Sequence, residues 1–115
     1  MTRLNSNLLR GTLDLLVLRA LVAAPRHGYG ILEWIERAVA PALLVEEGTL
    51  YPALHRLEDE GLIRASWGAS ENNRKAKFYS LTRRGEKRAQ ADASAWRAYA
   101  DKVLRALEDD AEATA

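Results

Sequence analysis

Cysteine is absent from the 115 residues, so disulfide staples and thiolate metal sites are excluded and a reducing, cytoplasmic setting is expected. Histidine is scarce as well. His27 and His55 lie in different segments with no acidic cluster beside either, which argues against a metal site. No apolar run approaches the ~20 residues needed to cross a bilayer. The longest, Leu15 to Val22, is interrupted by Arg19, so no membrane association is expected. Residues Met1 to Asn7 carry no long apolar stretch after Arg3, so no signal peptide is expected either. Nor is there a Gly-rich phosphate loop, a nucleophile paired with a base, or a pair of carboxylates at catalytic spacing; no enzymatic centre and no cofactor are expected.

What is present is a globular composition: 48% hydrophobic and 29% charged residues, too apolar for a disordered chain. The length suits one compact domain with a modest extension, since single domains usually run to ~100–150 residues. Net charge is only +1 and by itself says nothing about partners. Its distribution says more. Residues 64–84 carry Arg64, Arg74, Lys75, Lys77, Arg83 and Arg84 against Glu71 alone, while the segments on either side are each slightly acidic. Such a concentration is either a solvated loop or the local footprint of a phosphate backbone.

Periodicity divides the chain into six elements. Leu13, Leu16, Val17, Ala20 and Leu21 follow helical spacing from about Thr12 to Ala23, with Leu15, Leu18 and Val22 on other faces, so this helix is expected to be surrounded by protein. Pro25 ends it. His27-Gly28-Tyr29-Gly30 then reads as a turn into a second helix striped by Ile31, Leu32, Ile35 and Val39 and closed by Pro41. A third helix begins between Glu47 and Thr49 and runs to about Glu60, with Leu50, Leu54 and Leu57 inward and Gly61 as its stop. Leu62 to Trp67 and Lys75 to Leu81 read as two strands joined by a polar connector, an antiparallel hairpin. Phe78 and Tyr79 compete for the core side of the second strand. Thr82 is the expected N-cap of a last helix from Arg83 to about Leu107, followed by an acidic, Ala-rich tail that frays. Three helices, a hairpin and one long helix make a mainly α fold with a small β-hairpin: a winged helix-turn-helix with a C-terminal helix.

The third helix opposes its leucines with Gly48, Thr49, Pro52, His55, Arg56 and Asp59, with Tyr51 at the edge. A small, hydrogen-bonding face of this kind can enter a major groove ~12 Å wide, and the first turn can aim backbone N–H groups at phosphate. Pro52 favours a helix start close to Thr49, because a proline is tolerated near the first turn. Glu46 and Glu47 suit the helix dipole but oppose a nearby phosphate. His55 reads as a base or phosphate contact rather than a metal ligand, and Tyr51 as either a DNA contact or a packing residue between helix and hairpin. Arg74, Lys75 and Lys77 flank the hairpin tip with Asn72 and Asn73, suited to phosphate contacts that position without specifying sequence.

The last helix, about 25 residues, spans ~38 Å at 1.5 Å per residue, longer than a domain ~30–35 Å across. Its apolar positions, Trp96, Tyr99, Ala100, Val103, Leu104 and Leu107, recur at three- and four-residue spacing. A two-fold homodimer would cover them, with the first helix and Leu8-Leu9 contributing. Such a dimer presents two reading helices and expects a roughly palindromic double-stranded DNA site with half-sites about one helical turn apart. Trp96 either packs this interface or lines an apolar cavity for a small aromatic effector. Residues 1–81 thus read as a winged-helix DNA-binding domain and 82–115 as a dimerisation helix with its tail. The alternative is a winged-helix protein–protein interaction module without specific DNA binding.

The run Glu47-Gly48-Thr49-Leu50-Tyr51-Pro52-Ala53-Leu54-His55-Arg56-Leu57-Glu58, followed by Gly61-Leu62-Ile63, resembles the PadR family of bacterial transcription regulators. Gly11 to Leu16, His27 to Gly30, and Tyr79 to Thr82 with Gly85 match it in order and spacing across nearly the whole chain. Trp67-Gly68 and Ser70 to Tyr79 resemble a short-chain subgroup first recognised in acidobacteria. The resemblance implies a winged-helix dimer, usually a repressor, on inverted-repeat operators. It places Thr49, Tyr51 and His55 in the DNA-reading segment, Arg74, Lys75 and Lys77 on the wing, and Tyr29 near DNA. Some members bind planar drugs or phenolic acids beside an aromatic on the last helix, where Trp96 stands here. Longer relatives carry a larger C-terminal domain in place of the single helix.

Overall fold

The computed structural model describes residues 6–41, 44–69 and 71–108, with backbone alone for 6–10. Four helices and a three-stranded antiparallel sheet follow in the order α1 (Ser6–Ala23), β1 (Arg26–His27), α2 (Gly28–Val39), α3 (Glu47–Asp59), β2 (Ile63–Ala69), β3 (Lys75–Leu81) and α4 (Arg83–Glu108). The fold is mainly α with a small sheet and a long last helix, the winged helix-turn-helix expected from the periodicity.

α1 is the central element and packs on α2, α3, α4 and β3. Leu13, Val17, Leu18, Ala20 and Leu21 are buried in it, whereas Val22 is half exposed, so the helix is nearly but not wholly enclosed. It begins at Ser6, well before the expected Thr12. Gly11 lies inside it, exposed, with open space where a Cβ would stand. A glycine there costs about 1 kcal/mol of helix propensity and reads in sequence as a boundary, yet the helix runs through it. Ile31, Leu32 and Ile35 of α2, Leu50, Ala53, Leu54 and Leu57 of α3, and Leu62, Ile63 and Tyr79 of the hairpin complete one core.

The His27–Gly30 segment is not the plain turn expected. Arg26 and His27 form β1, paired with Tyr79 and Phe78 of β3, and Gly28 already opens α2. Two residues have no alternation to read, so only the neighbouring strand makes them a strand. Both side chains seal helix ends: Arg26 Nε donates to the Ala20 carbonyl at 2.7 Å, and His27 Nδ1 accepts from the Gly30 amide at 3.0 Å as the N-cap of α2.

α3 starts at Glu47, the early end of its expected range, which places Pro52 in the second turn rather than the first. Its stop is the expected Gly61, at φ 75°. Leu62 donates to the Leu57 carbonyl and Gly61 to that of Glu58, each at 3.0 Å, closing the last turn in a Schellman arrangement. Thr82 caps α4 as expected, accepting from the Gly85 amide at 3.0 Å and donating to the Gly61 carbonyl at 2.7 Å. One hydroxyl therefore joins the end of α3 to the start of α4. The acidic tail after Glu108, the Leu8 and Leu9 side chains, and Ser70 in the hairpin connector lie outside the described residues.

Candidate nucleic-acid interface

α3 presents two faces set by its leucines. With Leu50, Ala53, Leu54 and Leu57 inward, Gly48, Thr49, Pro52, His55 and Asp59 are left exposed, as the helical projection required. Arg56 departs from that face. Its guanidinium forms an ion pair with Asp14 of α1, both side chains about one-quarter exposed, so Arg56 ties α3 to α1. At its other edge Glu58 faces the hairpin, with Lys77 Nζ 3.7 Å from its carboxylate.

Tyr51 packs against protein as well as reaching solvent. It is 44% exposed, yet its ring covers Gly28 so closely that a Cβ there would lie 2.8 Å from the ring carbons. The lack of a side chain at Gly28 is what lets α3 and the N-terminus of α2 approach. Burial, then the carboxylate of Glu47, then Tyr79 push the Tyr51 hydroxyl above its ordinary pKa, so it stays protonated and able to donate near neutral pH.

Register settles the competition in β3. Tyr79 pairs with Ala65 and is buried on the α3 side. Phe78 falls on the opposite face, edge-on to His27 at 5.5 Å between ring centroids. Lys75 and Lys77 share the Tyr79 face by alternation. Asn73, at φ 56°, turns the chain at the tip, and Arg74 beside it is exposed. Lys75 is not extended freely into solvent: its ammonium lies 5.1 Å over the ring of Trp67.

An open cleft of about 710 Å³ lies between the start of α2, α3 and the hairpin, and it gathers several expected site residues. Tyr29, Tyr51, His55, Asn72 and Lys77 line it, joined by Glu33 and Glu71. Gly48, Thr49, Pro52, Arg74 and Lys75 are exposed outside it. His27 also lines the cleft while capping α2, a role with a sequence signal, since a hydrogen-bonding side chain precedes Gly28-Tyr29-Gly30. The acidic Glu33 and Glu71 had no such signal, because sequence proximity does not bring α2 to the hairpin tip.

At the far side, α4 leaves Trp96, Tyr99, Val103, Leu104 and Leu107 exposed, with Tyr99 and Leu107 each 63% accessible. The molecule is correspondingly elongated, 63 × 30 × 22 Å. Trp96 and Tyr99 border a cavity of about 360 Å³ where α4 meets α1, with Thr12, Leu15 and Asp92 also on its wall. No described helix is long and apolar enough to cross a membrane.

Comparison with known proteins places this architecture. The sequence profile of the PadR-like family of transcriptional regulators matches residues 17–91. An uncharacterized protein from Lysinibacillus sphaericus is 33% identical over 81 residues, 70% of this chain and 74% of that one. Among solved structures, a PadR-like transcriptional regulator from Bacillus cereus superposes with a TM-score of 0.79 at 26% identity, covering 89% of this chain and 97% of its own. A PadR family regulator from Eggerthella lenta gives 0.72 at 31% identity, covering 89% and 87%. The chain therefore belongs to the PadR-like family of transcriptional regulators, a family of winged-helix proteins that act on DNA rather than of enzymes.

Proposed function

We propose that the chain is a homodimeric, sequence-specific regulator that represses transcription from inverted-repeat operators. The observation that carries this reading is the exposed α3 face, Gly48, Thr49, Pro52 and His55, set beside a hairpin bearing Arg74, Lys75 and Lys77. α3 enters the major groove, Thr49, Tyr51 and His55 meet base edges, and the hairpin holds the flanking phosphates, with Tyr29 beside them. Residues 1–81 form the DNA-binding unit, and 82–115 the dimerisation helix with its tail. The apolar stripe of α4 supports two-fold pairing, since a monomer would leave it in water. The α1–α4 cavity beside Trp96 is of a size to take a small flat aromatic effector, whose binding would release the operator. Placement in the short acidobacterial-type subgroup rests on the Trp67–Tyr79 run alone.

Substituting Arg74, Lys75 and Lys77 with Ala tests the reading. Duplex binding should weaken at every sequence and the slope of log K against log salt should flatten by up to about 3, near 0.9 for each phosphate no longer neutralised. Duplex binding undetectable at low salt, or indifferent to the three changes, would overturn it. The cleft acids Glu33 and Glu71 favour the rival reading, a protein-interaction module, because they oppose phosphate. That rival predicts no duplex binding at all. Titration of flat aromatic compounds against Trp fluorescence, with Trp96→Ala as the control, tests the effector. No Trp96-dependent response leaves that residue a packing group.

A further inference from the structure

The least expected exposed aromatic is neither on α3 nor on α4. Trp67 of β2 is 64% accessible. A tryptophan left largely in water on a hairpin forgoes much of the burial that stabilises large apolar side chains. Its surroundings are specific. Register pairs it directly across from Lys77 and puts it on the same sheet face as Lys75, Lys77 and the buried Tyr79. The Lys75 ammonium lies 5.1 Å over its ring, and Lys77 lines the cleft that holds Tyr51 and His55. Gly68, next in the strand, is bare above the Phe78 ring, so the opposite face of the hairpin is closed by the protein itself. Trp67 therefore stands on the α3 side, with the Lys75 ammonium over its ring and Lys77, whose ammonium faces Glu58, across the ladder from it.

A nucleic-acid strand alternates anionic phosphates with apolar deoxyribose. An indole with the Lys75 ammonium over its ring and Lys77 opposite it in register sets apolar surface beside positive charge on one face, and the indole N–H can donate to a groove acceptor. We propose that Trp67 is a DNA contact of the hairpin: its ring packs on deoxyribose at the groove edge flanking the segment read by α3, while Lys75 and Lys77 meet the adjoining phosphates. The proposal rests on the DNA-binding reading above. It adds an apolar contact to a hairpin otherwise understood as purely electrostatic.

The two kinds of contact separate in salt. Each lysine released from phosphate removes about 0.9 from the slope of log K against log salt, whereas an uncharged ring releases no counterion. Duplex binding by the full chain is therefore measured across a salt series for wild type, Trp67→Ala, Trp67→Phe and Lys75→Ala, with thermal midpoints as the folding control. Trp67→Ala should bind about tenfold more weakly at every salt concentration with an unchanged slope, the size of one aromatic–nucleotide contact. Trp67→Phe should recover most of that loss. Lys75→Ala should instead lower the slope by about 0.9.

Equal affinity of Trp67→Ala and wild type overturns the proposal while leaving DNA binding intact. So does a loss accompanied by a flatter slope, because Trp67 would then act only by holding Lys75 in place. If wild type shows no duplex binding, the DNA-binding reading itself has failed, and the Trp67 proposal fails with it.

Discussion

The hydroxyl of Tyr51 on α3 lies 2.5 Å from where a Cβ on Gly28 of α2 would stand. Two helices of the winged fold are thus held in register by a missing side chain on one and a half-exposed aromatic on the other. Gly28→Ala should displace the tyrosine and destabilise the fold by about 1–3 kcal/mol, as overpacking does. The alanine itself favours helix, so Gly28→Ala combined with Tyr51→Ala should be more stable than the two single losses sum to. Urea denaturation of the four proteins gives the coupling. Simple additivity would show that the approach is not a constraint.

Tyr51 also predicts a pH effect of definite sign. Its folded-state pKa is raised by burial, Glu47 and Tyr79 above the ordinary 10.0 of the unfolded chain. Above that value the unfolded state loses the proton first, so stability falls as pH rises between the unfolded and folded pKa values. Below it the contribution is fully present. Tyr51→Phe lacks the titrating group. Its urea midpoint should decline less than that of wild type as pH passes about 10, and parallel curves would show that the hydroxyl is not held protonated by its surroundings.

Helical projection puts Arg56 on the DNA-facing surface, and the ion pair with Asp14 redirects it. Arg56→Ala should therefore leave the salt slope of duplex binding near that of wild type, unlike Lys75→Ala. Its effect should fall on stability, at about 0.5–1 kcal/mol for a partly screened pair, with most of that shared with Asp14→Asn in a double-mutant cycle. A drop in slope of about 0.9 would mean the guanidinium leaves Asp14 for phosphate.

Leu104 and Leu107 test the dimer. Both are exposed on α4 with Val103 beside them. Leu104→Glu with Leu107→Glu should leave the thermal midpoint of the winged-helix core nearly unchanged and shift sedimentation to the monomer. Binding to a two-half-site duplex should weaken by more than about tenfold, because the second half-site is no longer engaged by a linked subunit. A wild-type protein that sediments as a monomer at micromolar concentration would remove the two-fold reading.

Much of the architecture was present in local patterns. Leu50, Leu54 and Leu57 at helical spacing, Gly61 as a stop and Thr82 as a cap each act within a few residues of chain, and each stands where its chemistry puts it. The concentration of Arg74, Lys75 and Lys77 and the apolar stripe from Trp96 to Leu107 are likewise matters of composition along one element. These follow from short-range sterics, hydrogen bonding and periodicity, which a linear reading contains.

What the chain order could not supply is partnership across distance. That Arg26 and His27 are a strand depends on β3, far along the chain. Whether Phe78 or Tyr79 faces α3 was decided by strand register, which reverses every side chain when it slips by one residue. Likewise Asp14 claims Arg56 and Tyr51 occupies the space above Gly28 only because three helices converge on one core. Spacing along the sequence determined which surfaces exist; close packing alone determined which residues on them remain available to a partner.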